Sequence, residues 1–488
     1  MPTNKNSVTI EIKGVQFKEG DKFLDISITH DYNEHARAEV IMRFSKETGK
    51  KFMKEVDTTK TVKISAKEID PANPANPPKD NVLFFGYITD AATRPRGAFL
   101  VLRLKLIGTS FLLDLKKGSQ SFQKLDAKYE EILKKVYSGE EGDAKSTTLQ
   151  MEDGDKSKTI EKMILRLDET AWEFTKRMAS HLNRQIFTDI TAEKPALSVG
   201  VPKPNQTIEI EENDLSVYNI SLLDFKRSSE NPIEGATAPV KEDFLDITYD
   251  SQKYLRIGDV LKVGSKNYIV SHVEMEVFRE NLITHVKVHT KNFFTTPKFS
   301  NENVTGRILR AQVQKVEKDT VQAHLIEIDK EYDSSGTMKF PFATVYSSSD
   351  GSGWYVMPEE KDYVWILLPT DDEGDAFAFS GVNTTPLKDP KQKSFRAPDG
   401  KEIIMTDKSL ELICEHQKIF TALFKDKGIF LASSKDIKLA ADGNISMAAK
   451  GKIAIAAKSE MEIKCGSSKI NLKSMEVSMG GSQIVVGD

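Results

Sequence analysis

The sequence has little of what disulfide-linked, secreted or membrane-spanning proteins need. Its 488 residues include two cysteines, Cys414 and Cys465, too few for a disulfide framework, and both stand in or beside apolar strands where we expect buried thiols. No segment approaches ~20 uninterrupted apolar residues, which argues against a membrane-spanning helix. The opening stretch MPTNKNSVTIEIKG has no signal-peptide core, so we expect synthesis in the cytoplasm. The formal net charge of −4 provides no basic field for nucleic acid.

What the sequence does have is a repeat in residues 429–488. Pairs of apolar residues separated by one residue recur there, and the first members of successive pairs are 8, 8, 8, 8, 9, 7 and 7 residues apart. Period-two alternation places each pair on one face of a short strand, and Gly and Ser between the pairs supply turns. The pairs are Ile429/Leu431, Ile437/Leu439, Ile445/Met447, Ile453/Ile455, Met461/Ile463, Ile470/Leu472, Val477/Met479 and Ile484/Val486.

The length of the repeating unit limits how it can fold. A β-helix made by one chain needs roughly 20 residues per coil, whereas about eight residues supply one strand and one corner. Two buried side chains per unit cannot enclose a core alone, but three chains wound together can. The sequence therefore predicts a homotrimeric, intertwined triple-stranded β-helix whose shaft core holds the pairs up to Val477/Met479. Ile484, Val485 and Val486 would form an exposed apolar tip interface. An edge of an ordinary monomeric sandwich is the alternative.

The rest of the chain is predicted to be mainly β, in several domains. Alternating strands fill residues 8 to about 116, and helical periodicity then appears in SFQKLDAKYEEILKKVYS and DETAWEFTKRMASHLNR. Alternation resumes in QTIEIEE, VYNISLLDFKRSS and LRIGDVLKVG, and five further strands follow Val304, the size of a small OB-like barrel. The predicted domains are a first barrel (1–117), a helical insertion with the start of a second barrel (118–230), the remainder of that barrel (231–299), an OB-like domain (304–386), a linker (387–400) and the β-helix (401–488).

Few residues suggest chemistry. His285 and His289 in HVKVH could share one strand face and bind a metal, but no acidic or cysteine partner is close in sequence, and a solvated strand is the preferred interpretation. The acidic run at 370–375, TDDEGD, lacks the carboxylate spacing of a calcium loop, so a hairpin turn explains it better. Phosphate-loop, nucleophile-elbow and zinc-protease motifs are absent from the sequence. We therefore predict no catalytic, metal or cofactor-binding residues.

Four stretches, taken in order, carry a resemblance to a known family. They are VLFFGYITDA, similar to an F-x-G-x-[IV] strand; DETAWEFTKRMASHLN, similar to a [DE]-x-x-W-[DE]-F helix; LRIGDVLKVGSKNYIVSHV; and SGWYVMPEEKDYVWILLPTDDEGDAFAFSGV. This order, followed by the repeat, resembles the hub-and-spike proteins of contractile injection systems. The family includes the VgrG proteins of type VI secretion, the baseplate hub and tail-spike proteins of contractile phages, and the spikes of R-type bacteriocins and toxin-delivery particles.

The resemblance implies a mechanical role. It implies a homotrimer whose two hub barrels per chain form a pseudo-sixfold ring beneath the inner tube, with a β-prism that pierces the target envelope when the sheath contracts. The implied partners are tube or tube-initiator proteins, baseplate wedge proteins and, transiently, the target membrane. Some relatives end in an iron-binding His-x-His tip, but this chain has no histidine after His416. We therefore expect a separate tip protein of the PAAR-repeat type to cap the end, and ejection with the assembled particle.

Two other functions stay open from the sequence. A β-helical polysaccharide-degrading enzyme would need a carboxylate cluster on a repeat face, whereas these faces carry mostly Lys, Ala and Ser. A trimeric glycan-binding fibre would need an export signal and a receptor-binding head, and neither is visible. The sequence does not distinguish a phage from a type VI apparatus, a bacteriocin or a toxin-delivery particle.

Overall fold

The computed structural model describes residues 7–18, 21–68, 79–278, 281–383, 385, 389–473 and 476–480. It is mainly β, with 43% strand and 15% helix, which confirms the predicted mainly β character. The residues divide into two compact units, 1–384 and 385–488.

The first unit begins with six long strands and one helix. They are β1 (Ser7–Ile12), β2 (Lys22–Asp31), β3 (Arg37–Ser45), α1 (Lys46–Glu55), β4 (Thr61–Glu68), β5 (Lys79–Arg96) and β6 (Phe99–Gly108).

A segment with short strands and two helices follows. Its elements are β7 (Lys117–Phe122), α2 (Tyr129–Ser138), β8 (Thr148–Met151), β9 (Ile164–Thr170), α3 (Ala171–His181), β10 (Ile186–Thr188) and β11 (Ala196–Val199). We call residues 117–199 the helical insert.

The next elements return to the sheet. They are β12 (Thr207–Glu209), β13 (Ser216–Ile220), α4 (Leu222–Glu230), β14 (Leu245–Ser251), β15 (Val260–Val263), β16 (Lys266–Phe278) and β17 (Asn281–His289).

Five strands complete the first unit, and eight lie in the second. The former are β18 (Ile308–Glu317), β19 (Thr320–His324), β20 (Phe340–Ala343), β21 (Tyr363–Leu367) and β22 (Phe377–Gly381). The latter are β23 (Lys393–Ala397), β24 (Lys401–Met405), β25 (Ser409–Cys414), β26 (Ile419–Phe424), β27 (Gly428–Ser433), β28 (Glu460–Cys465), β29 (Ser468–Lys473) and β30 (Glu476–Gly480).

The strands predicted for two barrels lie in one twelve-stranded sheet. Its order is β1-β4-β5-β6-β3-β2-β16-β17-β14-β13, with β15 on β16 and β12 on β15. The first half comes from residues before the helical insert and the second from residues after it. The antiparallel pairing of β2 with β16 joins the halves, and one buried apolar cluster runs beneath both.

Steric crowding explains why the first family-like motif contains a glycine. Gly86 in β5 pairs with Gly108 in β6, and a Cβ atom at Gly86 would lie 2.2 Å from the carbonyl oxygen of Ile107. That distance is far inside van der Waals contact, so no other residue fits without moving the strand. The motif therefore marks a close approach of two backbones.

The second family-like motif starts α3 with a capping box. The Thr170 hydroxyl accepts a hydrogen bond from the Glu173 amide at 3.1 Å, and the Glu173 carboxylate accepts one from the Thr170 amide at 2.8 Å. Both bonds satisfy amides that the first helical turn leaves free. Trp172 packs on His35 of the loop between β2 and β3, with ring centroids 4.2 Å apart. Thr170 is thus the N-cap of α3.

The predicted five-stranded barrel is present and closed, in the order β18-β19-β20-β22-β21. Strand β9 of the helical insert connects two cores. Ile164 belongs to the core beneath α2 and α3, whereas the alternate residues Leu165 and Leu167 belong to the barrel core. Period-two alternation along one strand therefore packs the insert against the barrel.

A buried charge cluster reinforces that junction. Arg177 of α3 donates to both carboxylate oxygens of Glu169, each at 2.8 Å, and to Glu373 of the barrel at 2.9 Å. All three side chains are less than 10% exposed. Buried charges persist only when they are paired and hydrogen bonded, and here one guanidinium serves two carboxylates from different elements.

Two helices were not predicted. Residues 46–55 form α1, where the Ser45 hydroxyl accepts the Thr48 amide at 3.1 Å, so a serine cap was the signal that could have identified it. The interpretation of VYNISLLDFKRSS as strand is wrong after Ile220. Residues 222–230 are α4, and Phe225 in it contacts Phe244 with ring centroids 5.7 Å apart. The alternation stops at Ser221, and three-residue spacing replaces it.

His30 lies buried where the large sheet meets the helical insert. Its Nε2 atom is 2.8 Å from the Thr188 hydroxyl of β10, and the residue is 1% exposed. Burial lowers the pKa of His30 from 6.5 to about 3. The folded chain therefore holds this imidazole neutral.

The Arg177 cluster generates a stability prediction. Arg177→Met would leave Glu169 and Glu373 buried without their cation, and breaking a buried pair costs about 3–5 kcal/mol. Chemical denaturation of the variant should show a loss of that size. The matched control is Arg307→Met, whose 3.3 Å pair with Asp168 is more than half exposed and should cost less than about 1 kcal/mol. Equal losses in the two variants would contradict the assignment.

His30 generates a prediction about pH. Below pH 6.5 the unfolded chain takes up a proton that folded His30 refuses until about pH 3. Stability from this group is therefore complete above pH 6.5 and falls with pH below it, by up to about 1.4 kcal/mol per unit. His30→Gln should flatten the dependence of unfolding free energy on pH between 6 and 4. Thr188→Val, which keeps His30 buried, should lower stability while retaining the slope; an unchanged slope in His30→Gln would disprove the assignment.

Candidate functional site

The residues predicted for the shaft core lie in the second unit, and a single chain leaves most of them exposed. Met461 and Leu472 are half-buried, and for Val477 and Met479 the backbone pairing is described. The predicted tip residues Ile484, Val485 and Val486 lie outside the described residues. Ten side chains are between 37% and 75% exposed, and we call them the apolar ladder: Ile429, Leu431, Ile437, Leu439, Ile445, Met447, Ile453, Ile455, Ile463 and Ile470.

The backbone in the middle of the ladder is also unpaired within the chain. Residues 434–459 contain no strand or helix, so the strands predicted there are not hydrogen bonded in one chain. Within the described part of the chain, no backbone group of residues 436–459 makes a hydrogen bond to another described residue. A strand needs a neighbour, and among the described residues no other strand lies alongside this segment. Both the side chains and the amides of this segment thus lack partners.

Beyond this segment the repeat does pair, as antiparallel strands. In β28 and β29, Met461 lies opposite Leu472 and Ile463 opposite Ile470. In β29 and β30, Leu472 lies opposite Val477. The apolar pairs of these consecutive units therefore lie opposite one another within one chain.

An apolar sheet face precedes the ladder and was not included in the predicted site. Strands β23 to β27 form an antiparallel meander in which Met405, Leu410, Leu423 and Ile429 form one cross-strand row. Six residues of this face are between 40% and 52% exposed: Phe395, Ile403, Met405, Leu410, Leu412 and Leu423. Phe395, Ile403 and Leu412 of this face line a groove of about 680 Å³. Alternation in KEIIM and SLELIC was the signal that could have identified it.

The cysteines differ from the prediction. Cys414 is half-buried, but Cys465 at the end of β28 is exposed, so the expectation of a buried thiol is wrong there. The reason is that the single chain supplies no layer over the three-stranded sheet that contains it.

The two histidines considered as metal ligands have separate partners. His285 Nδ1 lies 2.7 Å from Asp250 Oδ1, and His289 Nδ1 lies 2.8 Å from the Ser271 hydroxyl. His289 stacks on Phe293 at 3.6 Å between ring centroids, and burial lowers its pKa. Asp250 comes from β14, a partner that short-range sequence reasoning could not find. Across the ranges described, no group of three His, Cys, Asp or Glu side chains could hold a metal ion.

The acidic run at 370–375 is the turn between β21 and β22, as predicted. Asp372 accepts the Gly374 amide at 2.9 Å, and the Thr370 hydroxyl donates to Asp375 at 2.8 Å. Lys162 of the helical insert donates to Asp372 at 2.5 Å. Together with Glu373, this turn attaches the barrel to the insert, a role that sequence reasoning missed because the partners are about 200 residues away.

Comparison with known proteins gives structural matches alone. No protein-family model matches the sequence, and no curated protein does. A chain of the Francisella PdpA–VgrG complex, half-lidded, aligns over 87% of this chain and 88% of its own, with 9% identity and a TM-score of 0.52. The lidless PdpA–VgrG complex aligns over 88% and 99%, with 9% identity and a TM-score of 0.53. The E. coli c3393 protein, a type VI secretion component similar to the phage T4 tail proteins gp27 and gp5, aligns over 77% and 100%, with 10% identity and a TM-score of 0.49.

The chain has the fold of VgrG-type tail-hub proteins. The resemblance inferred from the four motifs is therefore confirmed at the level of the fold. At this low identity the likeness establishes the fold and leaves the individual role to be proposed. Among the described helices, none is both long and apolar enough to cross a membrane.

Proposed function

We propose that this chain is the structural hub and membrane-piercing spike at the baseplate centre of a contractile injection system. It joins the inner tube to the needle tip and penetrates the target envelope when the sheath contracts, acting mechanically and without catalysis. The observation that carries the proposal is the combination of exposed apolar side chains and an unpaired backbone in residues 436–459. Two further copies of the same segment supply the missing strands and the missing apolar faces together.

The sequence within this segment supports closure by identical chains. From Ile437 to Ser459 every odd-numbered residue is Ile, Leu, Met, Ala, Gly or Ser, and every charged residue is even-numbered. In an extended chain, odd and even residues face opposite sides, so one side carries no charge at all. That side faces the axis of the proposed trimer, and the lysines and aspartates face water.

The energetics favour association. Burying a large apolar side chain contributes about 1.5–3 kcal/mol relative to exposure. The ten ladder side chains are already partly buried, so roughly half that value applies to each, or about 10 kcal/mol per chain. This burial occurs in all three chains and opposes the cost of association, about 4–15 kcal/mol for each joining event. Paired backbone edges add rigidity, because a closed prism leaves no free edge along the shaft.

The first unit supports the hub role. In each chain the twelve-stranded sheet consists of two halves, one formed by residues before the helical insert and one by residues after it. A trimer would present six such halves, which agrees with the pseudo-sixfold ring that the family resemblance implies. Inner-tube or tube-initiator proteins would bind this ring, and baseplate wedge proteins its outside. The chain would be made in the cytoplasm, assembled into the particle and ejected with it.

The proposal predicts a specific effect of charge in the ladder. Ile453→Asp would place three carboxylates together on the trimer axis, where burying unpaired charge is costly. We expect the 54.7 kDa chain to be a trimer by light scattering and this variant to lose both the trimer and injection, while the first unit stays folded. Ala454→Asp, the adjacent even-numbered position, adds the same charge towards water and should leave the trimer intact. A monomeric wild-type chain would refute the spike.

The tip gives a separate prediction. Ile484, Val485 and Val486, repeated three times, would form an apolar end that calls for a cover, and we propose a PAAR-type protein as that cover. Co-expression with the products of neighbouring genes should yield a tip protein that copurifies with the trimer. Val485→Asp should release it and Ser482→Asp should not. A trimer purified under these conditions with nothing bound at that end would eliminate the idea.

A further inference from the structure

The barrel carries an ordered hairpin, residues 344–356, that its own fold does not cover. The Trp354 amide donates to the Tyr346 carbonyl at 2.9 Å, and the Ser348 amide donates to the Ser352 carbonyl at 2.8 Å. Gly353 is required there, because a Cβ atom would lie 2.4 Å from the carbonyl oxygen of Tyr346. We call this segment the aromatic hairpin.

The hairpin exposes its large apolar side chains although it is ordered. Val345 is 95% exposed, Tyr355 74% and Trp354 60%. The Tyr355 hydroxyl nevertheless donates to the Lys318 carbonyl at 2.8 Å, which fixes the ring over the turn between β18 and β19. Aromatic side chains held rigidly in water are typical of protein interfaces, because little conformational entropy is lost when they become buried.

The same barrel has a second apolar surface on its outside. Outward positions of a small barrel are normally polar, but here Ile308, Leu367 and Phe377 form one cross-strand row, and Trp365 and Phe379 are paired in the next. Ile308 is 50% exposed, and the others are half-buried in the single chain. We call these five residues the aromatic wall. Strands β21 and β22 are therefore apolar on both faces, as expected of strands covered on both sides.

The short connection between the barrel and the second unit indicates which molecule covers these two surfaces. Strand β22 ends at Gly381 and β23 begins at Lys393, so the intervening chain spans at most roughly 40 Å. If the repeat trimerises, as proposed above, each barrel is held within this distance of the shaft, and two barrels are linked through two such tethers. Short tethers of this kind produce effective concentrations in the millimolar range. A neighbouring barrel is thus present whenever the spike is assembled.

Threefold symmetry also favours a neighbouring barrel as the partner of these surfaces. In a threefold ring each copy uses two different surfaces, one that contacts the next copy and one that contacts the previous copy. The barrel offers two apolar surfaces on different elements. We propose that the aromatic hairpin of one barrel packs against the aromatic wall of the next copy of this chain, closing a collar of three barrels. This inference rests on the proposed trimeric spike.

Photocrosslinking of the full chain tests the collar. The photoreactive amino acid benzoylphenylalanine replaces Val345, whose side chain is almost fully exposed. On illumination of the purified protein alone, we expect crosslinked dimers and trimers whose joined peptides contain Ile308 or residues 363–379. The same amino acid at Lys330, an exposed turn of the same barrel, should crosslink at least tenfold less between chains.

A charge variant of the wall provides the second measurement. Leu367→Glu should lower the Val345 crosslinking yield by about tenfold or more, because the hairpin would bury an unpaired carboxylate. Gln322→Glu adds the same charge on a strand outside the wall and should leave the yield unchanged. Circular dichroism shows whether the barrel of each variant is folded.

The outcomes separate this inference from the function it rests on. A monomer by light scattering would refute the spike and the collar together. A trimer in which position 345 crosslinks within its own chain, to the large sheet, or to nothing would refute the collar alone. Crosslinking that appears only with a different protein from the same particle would assign the hairpin to that partner and would also refute the collar.

Discussion

The structure depends on one feature of residues 436–459: among the described residues, nothing covers their apolar side chains and nothing pairs with their backbone. Water can hydrate the amides, but it leaves the apolar surface exposed, and no other described strand of the chain pairs with this segment. Only another extended chain satisfies the backbone edge and the apolar face at the same time. An identical chain does so in register, because it carries the same spacing.

The first unit has the opposite character. Its three apolar clusters are buried within one chain, and its buried charges are paired there, as in the contact of Arg177 with Glu169 and Glu373. This unit needs no partner to complete its core. In the proposed trimer, the chain therefore combines a first unit that completes its own core with a second unit that is completed by association, and the boundary between them lies near residue 384.

Local patterns in the sequence predicted the elements that local physics determines. Alternation identified the barrel strands, and three-to-four spacing of apolar residues identified α3. The contacts that organise the elements were not predictable in this way. The joining of β2 to β16 and the pairing of Arg177 with Glu373 connect residues about 200 or more positions apart, and nothing in the neighbourhood of either residue specifies the other. Helix α1 was missed for a different reason, because its capping serine was overlooked.

The lysines of the repeat oppose aggregation, which its free strand edges and exposed apolar residues favour. A chain with free strand edges and exposed apolar residues can pair with any similar edge before the correct partners arrive. Lys438, Lys450, Lys452 and Lys458 all lie at even-numbered positions, opposite the ladder. In the proposed trimer they point to water and cost little, whereas stacking of one sheet face on another would bring like charges together. The charge pattern thus disfavours disordered association and leaves the axial closure of three chains as the arrangement that buries the ladder without burying a charge.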